Sequence, residues 1–145
     1  MADVTISSLP LGTPSVNGII PFSQGGQTYS TTLAQLSSLP FIPKAWVLFN
    51  GGNVIGGDGS VSLYSSYNVS KVVRTQQGVY SIYLVTPMAN TNYAIAGTVP
   101  NTGQFISAGV YSSGTRSTSI IYVSTGMSSS NLTDMDYTSV IIFGN

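Results

Sequence analysis

Residues 79–86, Val79-Tyr80-Ser81-Ile82-Tyr83-Leu84-Val85-Thr86, set Tyr80, Ile82 and Leu84 on one side of an extended chain and Val79, Ser81, Tyr83 and Val85 on the other. A period of two belongs to a β-strand, because successive Cβ atoms leave a pleated backbone on opposite faces. Working outward, strands are expected over 44–50, 61–67, 69–76, 79–86, 92–99, 104–112, 117–124 and 137–143, separated by clusters of Gly, Ser, Asn and Pro. About eight short strands with turn chemistry between them predict an all-β domain, an antiparallel β-sandwich of jelly-roll-like form.

Three runs are apolar on both faces: Trp46-Val47-Leu48-Phe49, Ile120-Ile121-Tyr122-Val123 and Val140-Ile141-Ile142-Phe143. A strand with one solvated face alternates apolar and polar residues. These runs therefore predict a second buried surface, most simply a contact between subunits. Trp46, Tyr80 and Tyr93 are expected in the core.

A chain of 145 residues has the size of one domain. Charged residues make up 6% of it, against an average near ~25%, and the net charge is zero, with no Glu and no His. Without clustered Lys and Arg there is no field to recruit nucleic acid or an anionic membrane, so neither partner is expected. So few charges also leave little protection against edge-to-edge strand pairing. Closing those edges within a symmetric oligomer is one remedy. The sequence has no Cys, hence no disulfide, thiolate or Cys-based zinc site. The opening Met1-Ala2-Asp3-Val4-Thr5-Ile6 lacks a basic and apolar leader, so synthesis without a secretory signal is expected. Apolar runs such as 45–49 fall far short of the roughly 18 residues that a spanning helix needs.

Residues 1–43 differ from the rest, holding five of the seven prolines and one charged residue. Each proline removes a backbone donor and biases its predecessor toward extended conformations, so the segment is expected to form an extended N-terminal arm. Within it, Gly18-Ile19-Ile20-Pro21-Phe22-Ser23 and Gln27-Thr28-Tyr29-Ser30-Thr31-Thr32 flank Gly25-Gly26, the pattern of a small hairpin. Thr31 or Thr32 can then cap a short helix over 33–36, with Gln35 three residues after Thr32 as in a capping box. The arm's apolar residues Val4, Ile6, Leu9, Leu11, Ile19, Ile20, Phe22 and Tyr29 have little core of their own and need a surface to lie on.

Nucleophilic triads need a base near neutrality, usually His, and this chain has none. Asp134 and Asp136 are the only closely spaced carboxylates, and glycoside hydrolysis uses such pairs about 5–9.5 Å apart. Their polar surroundings, Ser128-Ser129-Ser130-Asn131-Leu132-Thr133, predict a solvated turn instead, and no catalytic residue is assigned. The glycines of 51–59 lead into a strand without the Lys of a phosphate-binding loop, which predicts a hairpin loop. Asp58 there is a lone carboxylate, poor support for a cation that takes six to eight oxygens. No metal and no cofactor are expected. Asn68-Val69-Ser70 and Asn131-Leu132-Thr133 match a glycosylation acceptor pattern, but Asn68 is expected to satisfy backbone groups where one strand turns into the next. Nine tyrosines are many for this length; Tyr64, Tyr111, Tyr122 and Tyr137 are the candidates for an outer face that stacks on a glycan.

Four phrases stand in order along the chain: Lys44-Ala45-Trp46-Val47-Leu48-Phe49-Asn50-Gly51, Ser66-Tyr67-Asn68-Val69-Ser70, Gly78-Val79-Tyr80-Ser81-Ile82-Tyr83-Leu84 and Asn92-Tyr93-Ala94-Ile95-Ala96-Gly97. Together they resemble the tip domain of bacteriophage tail fibres and related virion surface proteins. Val79 stands where that family often carries an acidic residue, and the Gly-rich insert is long. The resemblance implies a trimeric knob, which in fibres sits on a long shaft. Heptads, collagen triplets and repeats of 20–50 residues are absent here, so the expected form is a knob over 44–145 on an attachment arm over 1–43.

The resemblance thus implies a homotrimeric capsid decoration or cement protein on the outer surface of the head. Its arm would bind the major capsid protein, with the knob aiding adhesion to the host. The alternative is a short tail fibre or receptor-binding tip, with the arm on a tail protein and the knob on a host surface glycan. A small glycan-active enzyme stands third, disfavoured by the missing His and Glu.

Overall fold

In a computed structural model the protein is described over residues 17–37, 39, 41–100, 105–108, 116–128 and 131–144, with 105–108 described by their backbone. Val4, Ile6, Leu9, Leu11 and Tyr111 lie outside the described residues. The chain divides into two compact units, Met1–Leu39 and Pro40–Asn145.

In the first unit, Gly25 and Gly26 adopt φ of 60° and 78°. Two successive left-handed residues make a type I′ turn, whose twist suits paired strands. It joins β1 (Ile19–Gln24) to β2 (Gln27–Thr32), with Phe22 opposite Tyr29 and their rings stacked at 5.6 Å. A five-residue helix, α1 (Leu33–Ser37), follows at once. Its capping box is the one the spacing predicts: Gln35 N donates to Thr32 Oγ1 at 3.1 Å, and Thr32 N donates back to Gln35 Oε1 at 2.9 Å. Ile19, Phe22 and Tyr29 remain exposed in this unit, and Ile20 is little better covered.

The second unit is an antiparallel sandwich. Its strands are β3 (Pro43–Val54), β4 (Val61–Tyr67), β5 (Val69–Gln76), β6 (Val79–Leu84), β7 (Ala94–Thr98), β8 (Phe105–Ala108), β9 (Ile120–Ser128), β10 (Asn131–Leu132) and β11 (Thr138–Phe143). One sheet runs β4-β3-β11-β7; the other runs β10-β9-β6-β5, with β8 also paired to β9. The chain passes from the first sheet to the second at Asn68, which takes φ 56°, a conformation Asn tolerates. Its side chain does what the sequence position predicts. Nδ2 donates to Lys44 O and Thr86 O, both at 3.0 Å, while Oδ1 accepts from Thr86 N at 2.7 Å.

Between the sheets, Ala45, Val47, Phe49, Val140 and Ile142 meet Val72, Tyr80, Ile82, Ile121 and Val123 in one buried cluster. Phe49 and Tyr80 pack edge to face, ring centres 5.0 Å apart. A Cβ on Gly51 would overlap the Tyr80 hydroxyl, so the strand can pass that ring only as glycine.

Tyr80 and Tyr93 lie in the core as expected, but Trp46 does not. It is 36% exposed, whereas Ala45, Val47 and Phe49 are at most 1% exposed. A strand offers one parity of side chains to the facing sheet, and the parity containing Phe49 has that place. Several elements depart from the sequence expectation. β3 continues through Gly51 and Gly52 to Val54, β6 and β7 are shorter than expected, β9 runs over Ile120–Ser128 where 117–124 was expected, and the two-residue β10 pairs back on β9.

Candidate functional site

Three features stand out in the knob, and the first is polar. Asp134 Oδ1 accepts from Arg74 Nε at 2.9 Å, Gly78 N at 2.7 Å and the Tyr80 hydroxyl at 2.8 Å, and Oδ2 meets Arg74 Nη2 at 2.7 Å. Burial pushes the Asp134 carboxyl up, but the Arg74 guanidinium, the Gly78 N–H and the Tyr80 hydroxyl outweigh it and hold the group below its ordinary value. The Tyr80 hydroxyl is pushed up, first by its burial and then by the carboxylate. The expectation of a solvated turn is therefore corrected for Asp134: it is a pin that ties β5, β6 and the segment before β11 together. It holds for Asp136, which is exposed. A glycosidase acid must keep its proton near neutrality; a carboxylate with four donors and a lowered pKa does the reverse.

The second feature is the outer side of the β4-β3-β11-β7 sheet. Register places Tyr67, Trp46, Ile141 and Ala96 in one row across it, and Ser65, Leu48, Ser139 and Thr98 in the next. Phe143 stands opposite Ala94 beyond the first row. Tyr67 is 56% exposed, and Leu48, Ile141 and Phe143 are only partly covered. For the runs 46–49 and 140–143, the second surface expected from the sequence is, within one chain, a partly exposed apolar face; the third run, 120–123, lies on β9 of the other sheet, with Ile120 and Tyr122 half-buried.

The third feature joins two of the tyrosines singled out from the sequence. Tyr64 is the extra residue of a bulge, since Leu48 pairs with Ser65 and Phe49 with Leu63. It stacks on Tyr137, with ring centres 4.7 Å apart and planes 8° from parallel. Asn50 Nδ2 donates to the Tyr64 hydroxyl at 3.1 Å, while Asn50 Oδ1 accepts from Gly52 N at 3.0 Å and Asn53 N at 3.1 Å. Those two backbone donors fix which way the Asn50 amide points. Asp136 Oδ1 and Asn50 Oδ1 both lie within 4 Å of the position a Cβ would take on Gly52, so the carboxylate borders the same patch.

Tyr122 is elsewhere, half-buried on β9 opposite Ser81. Asn50 was absent from the sequence candidates, although Asn before Gly-Gly is a turn signal that could have marked it. Asp134's partners lie 54–60 residues away along the chain, so no local pattern reveals the pin. Asp58, exposed, accepts from Lys71 Nζ at 2.8 Å and from Ser60 N at 3.0 Å. Among the described residues no group of three His, Cys, Asp or Glu side chains is placed to hold a metal ion. No helix among them is long and apolar enough to cross a membrane.

No family model, no curated protein and no solved structure matches this chain. The class defined here is that of an all-β protein with an antiparallel sandwich.

Proposed function

We propose that this chain is a non-catalytic bacteriophage virion surface protein, a homotrimer that decorates the outer head surface and stabilises the shell. A ligand that binds only the assembled shell favours assembly by linkage, and no chemistry is required of it. The observation that carries the reading is the partly exposed apolar face of Trp46, Leu48, Ile141 and Phe143 on a chain with 6% charged residues. Contiguous apolar faces mark interaction surfaces, and an uncharged face fits an uncharged partner such as a second copy. The exposed Ile19, Phe22 and Tyr29 support a docking role for the arm, with the major capsid protein as its partner.

Light scattering on the purified chain should give about three times 15.1 kDa. A monomer at micromolar concentration would overturn the oligomer. Deleting residues 1–43 should leave a folded trimer that no longer sediments with decoration-free heads. The alternative, a receptor-binding tail tip on a tail protein, is favoured by the stacked Tyr64–Tyr137 pair. Copy number on a quantitative gel of virions separates the two: hundreds of copies fit the head, tens or fewer the tail.

A further inference from the structure

We propose that Tyr64 and Tyr137, with Asn50 and Asp136 beside them, form a platform that binds neutral, hydroxyl-rich carbohydrate. The inference rests on and deepens the receptor-binding alternative above and is independent of head attachment.

Tyr137 carries the argument. Its φ is 53°, in the left-handed region, where Cβ crowds the backbone and where Gly or Asn ordinarily stands. The other non-glycine described residue there is Asn68, whose short amide satisfies three backbone groups. Tyr137 has no such excuse: it is 57% exposed, so its ring does not fill the core. A bulky residue kept in a strained conformation at the surface points to a function for the ring itself.

The partner ring supports this. Tyr64 is delivered by a β-bulge, a device that re-aims a side chain, and it is 45% exposed. Stacking fixes both rings with little freedom left to lose on binding. Their outer faces then offer flat, amphipathic area of the kind that covers the C–H face of a pyranose ring. Asn50 is committed through Oδ1 to two backbone donors and positions the Tyr64 hydroxyl, while Asp136 presents a carboxylate to hydroxyl donors. Arg74 and Lys71 are engaged with Asp134 and Asp58. Asp136 is the charged side chain placed beside the platform, and a negative charge there suits a neutral sugar and disfavours a uronic or sialic acid. A single weak site of this type gains by repetition when several copies of the chain act together.

The test measures retention of the purified full chain on immobilised dextran, mannan and galactan, with alginate as the anionic comparison. Retention on at least one neutral polymer is expected, and Tyr137→Gly should weaken it by about fivefold or more, the effect of losing an anchoring aromatic. Glycine suits the backbone at that position, so the variant should keep its melting temperature and its mass in light scattering. Tyr64→Leu should weaken retention likewise, and Tyr122→Leu should leave it unchanged. Binding to none of the neutral polymers, retention on alginate alone, or full retention by Tyr137→Gly would overturn the proposal. A Tyr137→Gly protein that falls to the mass of one chain would also overturn it by assigning the ring pair to the subunit interface. Failure of head binding bears on the decoration reading alone, because no virion enters this assay.

Discussion

The two faces of the β4-β3-β11-β7 sheet are built by the same four strands, and they have opposite fates. On the inner face Ala45, Val47, Phe49, Val140 and Ile142 disappear against the second sheet. On the outer face Trp46, Leu48, Ile141 and Phe143 are as apolar but stay at least partly open. Hydrophobicity alone did not decide which set became core; the position of the facing sheet did. The lesson is that an apolar strand residue states a need for cover, and the cover can come from this chain or from another.

Phe49 is the inner-face position where a substitution costs most. Phe49→Ala should destabilise the knob by about 3–5 kcal/mol in a urea titration, the usual cost of removing a fully buried aromatic side chain. A loss no larger than that of an outer-face substitution would erase the distinction between the faces.

Next comes the polar end of the sandwich, where Asp134 and Asp136 repeat the contrast two residues apart. Asp134→Ala strands a guanidinium, a hydroxyl and a backbone N–H, and should cost about 2–4 kcal/mol. Asp136→Ala, at an exposed position, should stay within about 0.5 kcal/mol. The pH dependence has a definite sign. Asp134 is held below its ordinary value in the folded state, so its contribution is complete above the unfolded value near ~3.9 and is lost as pH falls through the folded one. Asp134→Asn should therefore flatten the acid limb of stability against pH. An unchanged acid limb would show that another group controls it.

The outer face should respond in assembly more than in folding. Trp46→Ser with Ile141→Ser should change the unfolding free energy of the dilute protein by about 1 kcal/mol or less, yet bring the light-scattering mass from a multiple of 15.1 kDa to a single chain. If the mass holds, the subunit contact lies elsewhere. Smallest of all is Lys71→Gln, which removes an ion pair whose side chains are 46% and 52% exposed. Such pairs are screened by solvent and salt, so no measurable change in melting temperature is expected.

Much of the fold could be read from the sequence because it rests on local physics. Period-two alternation placed β4 and β5 at the residues expected, Gly25-Gly26 set the arm's hairpin, and Thr32 with Gln35 set its capping box. Each signal lies within a few residues, where sterics and near-neighbour hydrogen bonds decide. The role of Asn68 was legible for the same reason, as a side chain that satisfies backbone groups where one strand turns into the next. The rest depends on which distant strands meet. Trp46 lies outside and Phe49 inside because parity is fixed by where the opposite sheet sits. Asp134 is a pin and Asp136 is solvated because Arg74, Gly78 and Tyr80 arrive from distant strands to surround one and not the other. Tyr64 met Tyr137 and left Tyr122 apart through a bulge and a strand register, and the sequence carries no local mark of either.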